Sequence, residues 1–171
     1  AAEALPGLDT AAIKGLQSAQ LVALTTAQVA ALTTDQVQAL TNRQVSAFET
    51  TDLNVLTSEQ IIALTSGQVA ALTTAQVSHL ATTQLAAIET ADVQALKTAQ
   101  LASLTTDQIT GFGTEQVASL LTSQMVGIGT AQLASMTTDQ IDALSTAQLA
   151  ALRAEQFRSL TPTQIAADRK S

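Results

Sequence analysis

One eight-residue pattern, seen in pure form as Leu24-Thr25-Thr26-Ala27-Gln28-Val29-Ala30-Ala31, returns without a frame break from Leu8 to Ala167, twenty times over. So short and regular a period constrains architecture tightly: each copy is too small to bury a core and must stack on its neighbours. The first position of the octad is Leu, Phe, Ile or Met in every copy, and the sixth is always apolar, from Ile13 to Ile165. The third is Thr or Ser in seventeen copies, the fifth is Gln in seventeen, and the eighth is Gly, Ala or Ser in eighteen.

The octad reads as a short helix with its own start signal. Ala, Gln and Leu favour helix, and Thr does not. Thr-Thr-x-Gln before an apolar residue is a capping box, in which a Thr hydroxyl accepts a free backbone N–H and the Gln reaches back to the cap. In the last octad Pro162 suits the first helical position, which makes Thr161 its cap. Where the second position is Glu49, Lys97, Gly113 or Leu121, the third-position hydroxyl is the expected substitute.

A single continuous helix fails, because eight residues advance about 800° and would swing the apolar stripe about 80° per octad. A break at each Thr pair removes the conflict. The expected fold is therefore all-α, a solenoid of about twenty short capped helices held by packing between octads. The alternative is a β-solenoid with a Thr ladder, but apolar columns at positions six, eight and one break a two-residue alternation. Residues 1–7 read as a lead-in with a Pro6-Gly7 turn, 8–167 as one solenoid domain, and 168–171 as a basic tail with Arg169 and Lys170. The first octad, with Ala12 in the Gln column and Lys14, is atypical, as terminal repeats often are.

A longer period lies over the octads. Phe48-Glu49-Thr50-Thr51-Asp52 and Ile88-Glu89-Thr90-Ala91-Asp92 stand forty residues apart, and both exchange Gln for Asp. Either a block of five octads was duplicated, or five octads make one superhelical turn and stack these places in a row.

Composition narrows the function. Net charge is −7, and from Gln44 to Leu152 nine acidic residues face one basic residue, Lys97. Three Phe, no Tyr and no Trp leave neither the basic surface nor the stacking faces that nucleic acid needs. No apolar run is long enough to span a membrane, and the opening residues do not read as a signal peptide. Without Cys there is no disulfide, thiolate nucleophile or thiolate-bound metal.

Candidate sites are few. His79, the only His, has no partner for acid–base work and reads as a tolerated substitution in a small-residue column. The pairs Glu49/Asp52, Glu89/Asp92 and Asp139/Asp142 have helical i, i+3 spacing, but no loop supplies the further oxygens that calcium requires. The first two read instead as acids near helix starts, where negative charge is favoured. The second-position hydroxyls of Thr25, Thr33, Thr73, Thr105 and Thr137 form a possible surface-binding array, with capping as their simpler role. No catalytic set, phosphate loop, metal site or cofactor motif is present, so the expectation is a protein that is not an enzyme and carries no cofactor.

The octads Leu24–Ala31, Leu32–Ala39 and Leu56–Ala63, with the Glu-Thr-x-Asp variants at 49–52 and 89–92, resemble repeat tracts of large proteobacterial secreted or surface proteins of the adhesin type. That resemblance implies a structural or display segment with no catalytic residues to carry over. The expected function is a spacer or interaction scaffold of a larger secreted or surface bacterial protein, and the long groove or ridge of a solenoid suits a protein or peptide partner. Leu160-Thr161-Pro162-Thr163-Gln164-Ile165 also resembles the first helix of TAL-effector repeats, but the rest of that longer repeat is missing and DNA reading does not carry over. The alternative function is ice binding through the regularly spaced Thr and Ser hydroxyls.

Overall fold

The computed structural model describes residue 5 and residues 7–168. The lead-in expected over 1–7 and the basic tail over 168–171 fall almost wholly outside these residues. Within them each octad forms one short helix, in chain order α1 (Thr10–Gly15), α2 (Ser18–Val22), α3 (Thr26–Ala30), α4 (Thr34–Ala39), α5 (Asn42–Ala47), α6 (Thr50–Leu53), α7 (Ser58–Ile62), α8 (Ser66–Ala71), α9 (Thr74–His79) and α10 (Thr82–Ala87). The series continues with α11 (Thr90–Val93), α12 (Thr98–Ser103), α13 (Thr106–Thr110), α14 (Thr114–Ser119), α15 (Thr122–Met125), α16 (Thr130–Ser135), α17 (Thr138–Asp142), α18 (Thr146–Ala150), α19 (Ala154–Arg158) and α20 (Pro162–Asp168). The all-α solenoid is the observed fold, and no strand occurs among the described residues.

Each helix packs on the one three places further along: α1 on α4, α2 on α5, α9 on α12, α17 on α20. Three octads therefore make one turn of the solenoid, and the helices form three parallel stacks. This settles the forty-residue period. Five octads are one turn and two-thirds, so α6 and α11 belong to different stacks, and the Glu-x-x-Asp places do not stand in a row. The longer period is a repeat of sequence and not of superhelical geometry.

The core is the first and sixth columns. Ile13, Val29, Val37, Val69, Leu85, Leu101, Leu133 and Ile141 have essentially no exposure, and Leu32, Phe48, Leu72, Ile88, Phe112 and Met136 close the corners. The second, third and fourth positions face solvent along most of the chain. Helices of four to seven residues have no stability of their own. Their burial against the turns above and below is what holds them.

The small eighth position has a specific cause. A methyl built on Gly127 would lie 2.7 Å from the Thr98 carbonyl oxygen, and one on Gly111 would lie 3.1 Å from Cβ of Thr82. Gly127 and Gly111 are eighth residues; Thr98 and Thr82 are third residues one turn below. The two strict columns thus meet each other between turns.

Candidate functional site: the glutamine ladder

The most organised chemistry in the molecule is a ladder of buried glutamines. Within its own octad each one closes a helix start: Gln68 Oε1 accepts the Thr65 N–H at 2.8 Å, and the Gln68 N–H reaches the Thr65 hydroxyl at 3.3 Å. The same amide then reaches down one turn. Gln68 Nε2 donates to the carbonyls of Val37 at 2.9 Å and Leu40 at 2.7 Å. Gln100 donates to Val69 and Leu72, Gln132 to Leu101 and Leu104, and Gln164 to Leu133 and Met136, all between 2.6 and 3.0 Å.

The register is constant. From Gln36 to Gln164 every glutamine of the column donates to the carbonyl 28 residues before it, as in Gln36 to Leu8, Gln60 to Leu32 and Gln148 to Leu120. Apart from that of Leu8, which precedes α1, those carbonyls lie at helix C-termini, where oxygens lack partners within the helix. One side chain therefore serves the N-terminus of its own helix and the C-terminal corner of an octad below. That uses the carbonyl oxygen and the amino group of the primary amide together, which no other natural side chain of that length supplies. Gln20 and Gln28, in the first turn, have no such acceptors among the described residues and are not buried.

The caps correct one expectation. In every copy the N-cap is the second residue and the helix begins at the third, whatever the second residue is. Thr25, Thr33, Thr73, Thr105 and Thr137 each accept the N–H of the Gln three residues on. Where the second residue is Lys97, Gly113 or Leu121 no side chain caps the helix, and the third-position hydroxyl does not take over. The backbone half of the motif survives in those copies, because Gln100, Gln116 and Gln124 still accept the N–H of residues 97, 113 and 121.

The five threonines of the possible array are exposed, but they are divided among the three stacks. Along any one stack the second position is interrupted, for instance Thr25, Glu49, Thr73, Lys97, Leu121 and Ser145. His79 is exposed, with ring Nδ1 2.8 Å from the Ala75 carbonyl oxygen and 3.3 Å from the Ser78 hydroxyl.

The acidic pairs separate into unlike partners. Glu49 and Glu89 are exposed N-caps, whereas Asp52 and Asp92 stand buried in the glutamine slot. Asp92 accepts the Ser66 hydroxyl of the helix beneath. Burial, and then the neighbouring Glu49 carboxylate, push Asp52 above its ordinary value of 3.8, while its bond to the Glu49 backbone opposes the rise. Asp139 and Asp142 are exposed. Among the described residues no group of three or more His, Cys, Asp or Glu is placed to hold a metal ion.

Comparison with known families matches the ALTTAQ repeat over residues 5–42, 45–82, 85–122 and 141–167. The chain belongs to the ALTTAQ repeat family. Three of the matches begin at 5, 45 and 85, the spacing of the Glu-x-x-Asp places, and the fourth begins at 141. No curated protein matches the chain. The forty-residue spacing of those three matches and the solenoid turn are thus different lengths, five octads against three. Equivalent residues of those three matches therefore fall in different stacks.

Proposed function

We propose that this ALTTAQ array is a non-enzymatic spacer and interaction scaffold within a larger secreted or surface protein of bacterial origin. The observation that carries the reading is the glutamine ladder, which commits the molecule's most conspicuous polar column to joining one turn to the next. A chain tied at every turn behaves as a rod whose length scales with octad number, at roughly 8–10 Å per three octads from ordinary helix packing distances. Its exposed positions are small and weakly charged, a surface suited to holding other segments apart or to receiving a protein or peptide partner along one side. No helix of the described residues is long and apolar enough to cross a membrane.

Small-angle scattering on the chain and on a version lengthened by three octads tests the rod. The longest dimension should grow by about one helix packing distance, and a radius of gyration that rises as for a globule would reject the reading.

Ice binding is the second reading, and one feature favours it. Thr26, Thr50, Thr74, Thr98, Thr122 and Thr146 fall in a single stack, one per turn, and most are exposed. Their hydroxyls are not spent on caps. Replacing Thr74 and Thr98 with Lys should abolish thermal hysteresis if this column meets ice. Absence of hysteresis in the parent chain would end that reading.

A further inference from the structure

Asp52 occupies a slot that a glutamine fills in the octads on either side, and the slot calls for a donor. In the register kept from Gln36 to Gln164, the carbonyls of Leu21 and Leu24 lie beneath it. No side chain among the described residues donates to either. Asp52 is 4% exposed, so little of it meets bulk water. An ionised carboxylate only accepts hydrogen bonds. It can keep the capping half of the glutamine's work, toward the Glu49 N–H, and must forgo the ladder half.

The sister place shows a different outcome. Asp92 meets the same demand, and Ser66, a third-position residue on α8, turns its hydroxyl to the carboxylate. The residue in the corresponding place beneath Asp52 is Thr26 on α3, and its hydroxyl makes no such bond. Asp52 is thus the buried carboxylate of the ladder with no compensating hydroxyl. Charged neighbours on the elements packed against it are few. α3 carries no titratable group, α9 carries only the exposed His79, and α6 follows directly on Glu49. The pressure on the carboxyl comes from burial and from Glu49, and both favour its protonated form.

We infer that Asp52 makes the α3–α6 contact an acid-strengthened seam in the ladder, where protonation removes a buried charge and supplies an O–H toward the carbonyls below. Asp is one methylene shorter than Gln, so one bridging water completes the span to them. The sign follows from the direction of the shift. With the folded pKa above the unfolded one, ionisation opposes folding at higher pH, and the penalty is relieved as pH falls through the folded value. At neutral pH the joint between α3 and α6 is the weak point of the rod, and on acidification it tightens to the level of its neighbours.

Hydrogen exchange and carboxyl chemical shifts on the full chain test this. Protection factors of α3 and α6 amides, taken relative to α9 and α12, should rise a few-fold between pH 7 and pH 4 as the buried charge is removed. In Asp52→Gln they should be high at both pH values, and in Asp92→Gln the rise at α3 and α6 should persist. The Asp52 carboxyl carbon should titrate with a midpoint above 3.8. Parallel pH profiles for the parent and Asp52→Gln, or a midpoint at or below that value, would overturn the inference.

Discussion

The side-chain amide of Gln100 donates to the carbonyl of Leu72, 2.8 Å away and one turn beneath it, while its Oε1 accepts the Lys97 N–H at 2.7 Å. Removing the amino group alone should therefore separate the two roles. Gln100→Glu keeps an acceptor for residue 97 but points a carboxylate at the Val69 and Leu72 carbonyls. We expect a loss of about 2–4 kcal/mol at neutral pH, the cost of orphaned buried groups, with partial recovery as the buried carboxyl protonates on acidification. Urea denaturation at several pH values measures it. A loss below about 0.5 kcal/mol would mean the ladder bonds contribute little net stability.

The sequence announced the caps and the core, and it also held a clue to the ladder that capping logic passed over. The cap residue itself varies freely, through Glu49, Lys97, Gly113 and Leu121, while its supposed partner Gln is nearly invariant across copies. A partner stricter than the group it serves must have a second task. The task lies 28 residues away, and no local pattern states that distance. The turn of three octads was hidden for the same reason: octads that are nearly identical pair equally well at any multiple of eight. The forty-residue mark was legible, but it reports a repeat of sequence and not the turn. The octad pattern suggests a third column of reserve caps, whereas Thr82 and Thr98 of that column meet the eighth residues Gly111 and Gly127 of the next turn.

That pairing makes opposite demands on two glycines. A methyl on Gly127 would press on the backbone of Thr98 at 2.7 and 2.9 Å, and backbone cannot swing aside. Gly127→Ala should cost about 1–3 kcal/mol through overpacking. Gly15, in α1, has nothing within 4 Å of a built methyl, so Gly15→Ala should gain about 0.5–1 kcal/mol from helix propensity. Thermal melts of both variants check the contrast, and equal effects would deny the contact between the eighth and third columns.

Uncapped helices offer a gain. Leu121 sits at the N-cap of α15, 44% exposed, with no side-chain bond to the helix. Leu121→Thr should install the hydroxyl that Thr105 and Thr137 provide and raise stability by about 1 kcal/mol. The unfolding midpoint in urea should rise with no change in its slope. A fall would mean that Leu121 contributes more by covering apolar surface than a cap can return.

Deletions test the register of the whole rod. Removing residues 96–119 takes out three octads, one complete turn, and joins Ala95 to Leu120. Gln124 then stands over the carbonyls of Val69 and Leu72, in the place Gln100 held, and every stack stays continuous. The shortened chain should unfold cooperatively, with a denaturant slope reduced in proportion to the residues lost. Removing twenty residues, 96–115, breaks the octad frame instead. It moves the distal first and sixth columns onto solvent positions and takes the glutamines off their carbonyls. That chain should lose cooperative folding beyond the junction, seen as a drop in helical circular dichroism out of proportion to its length. If both deletions behave alike, the register of 28 is not what aligns the turns.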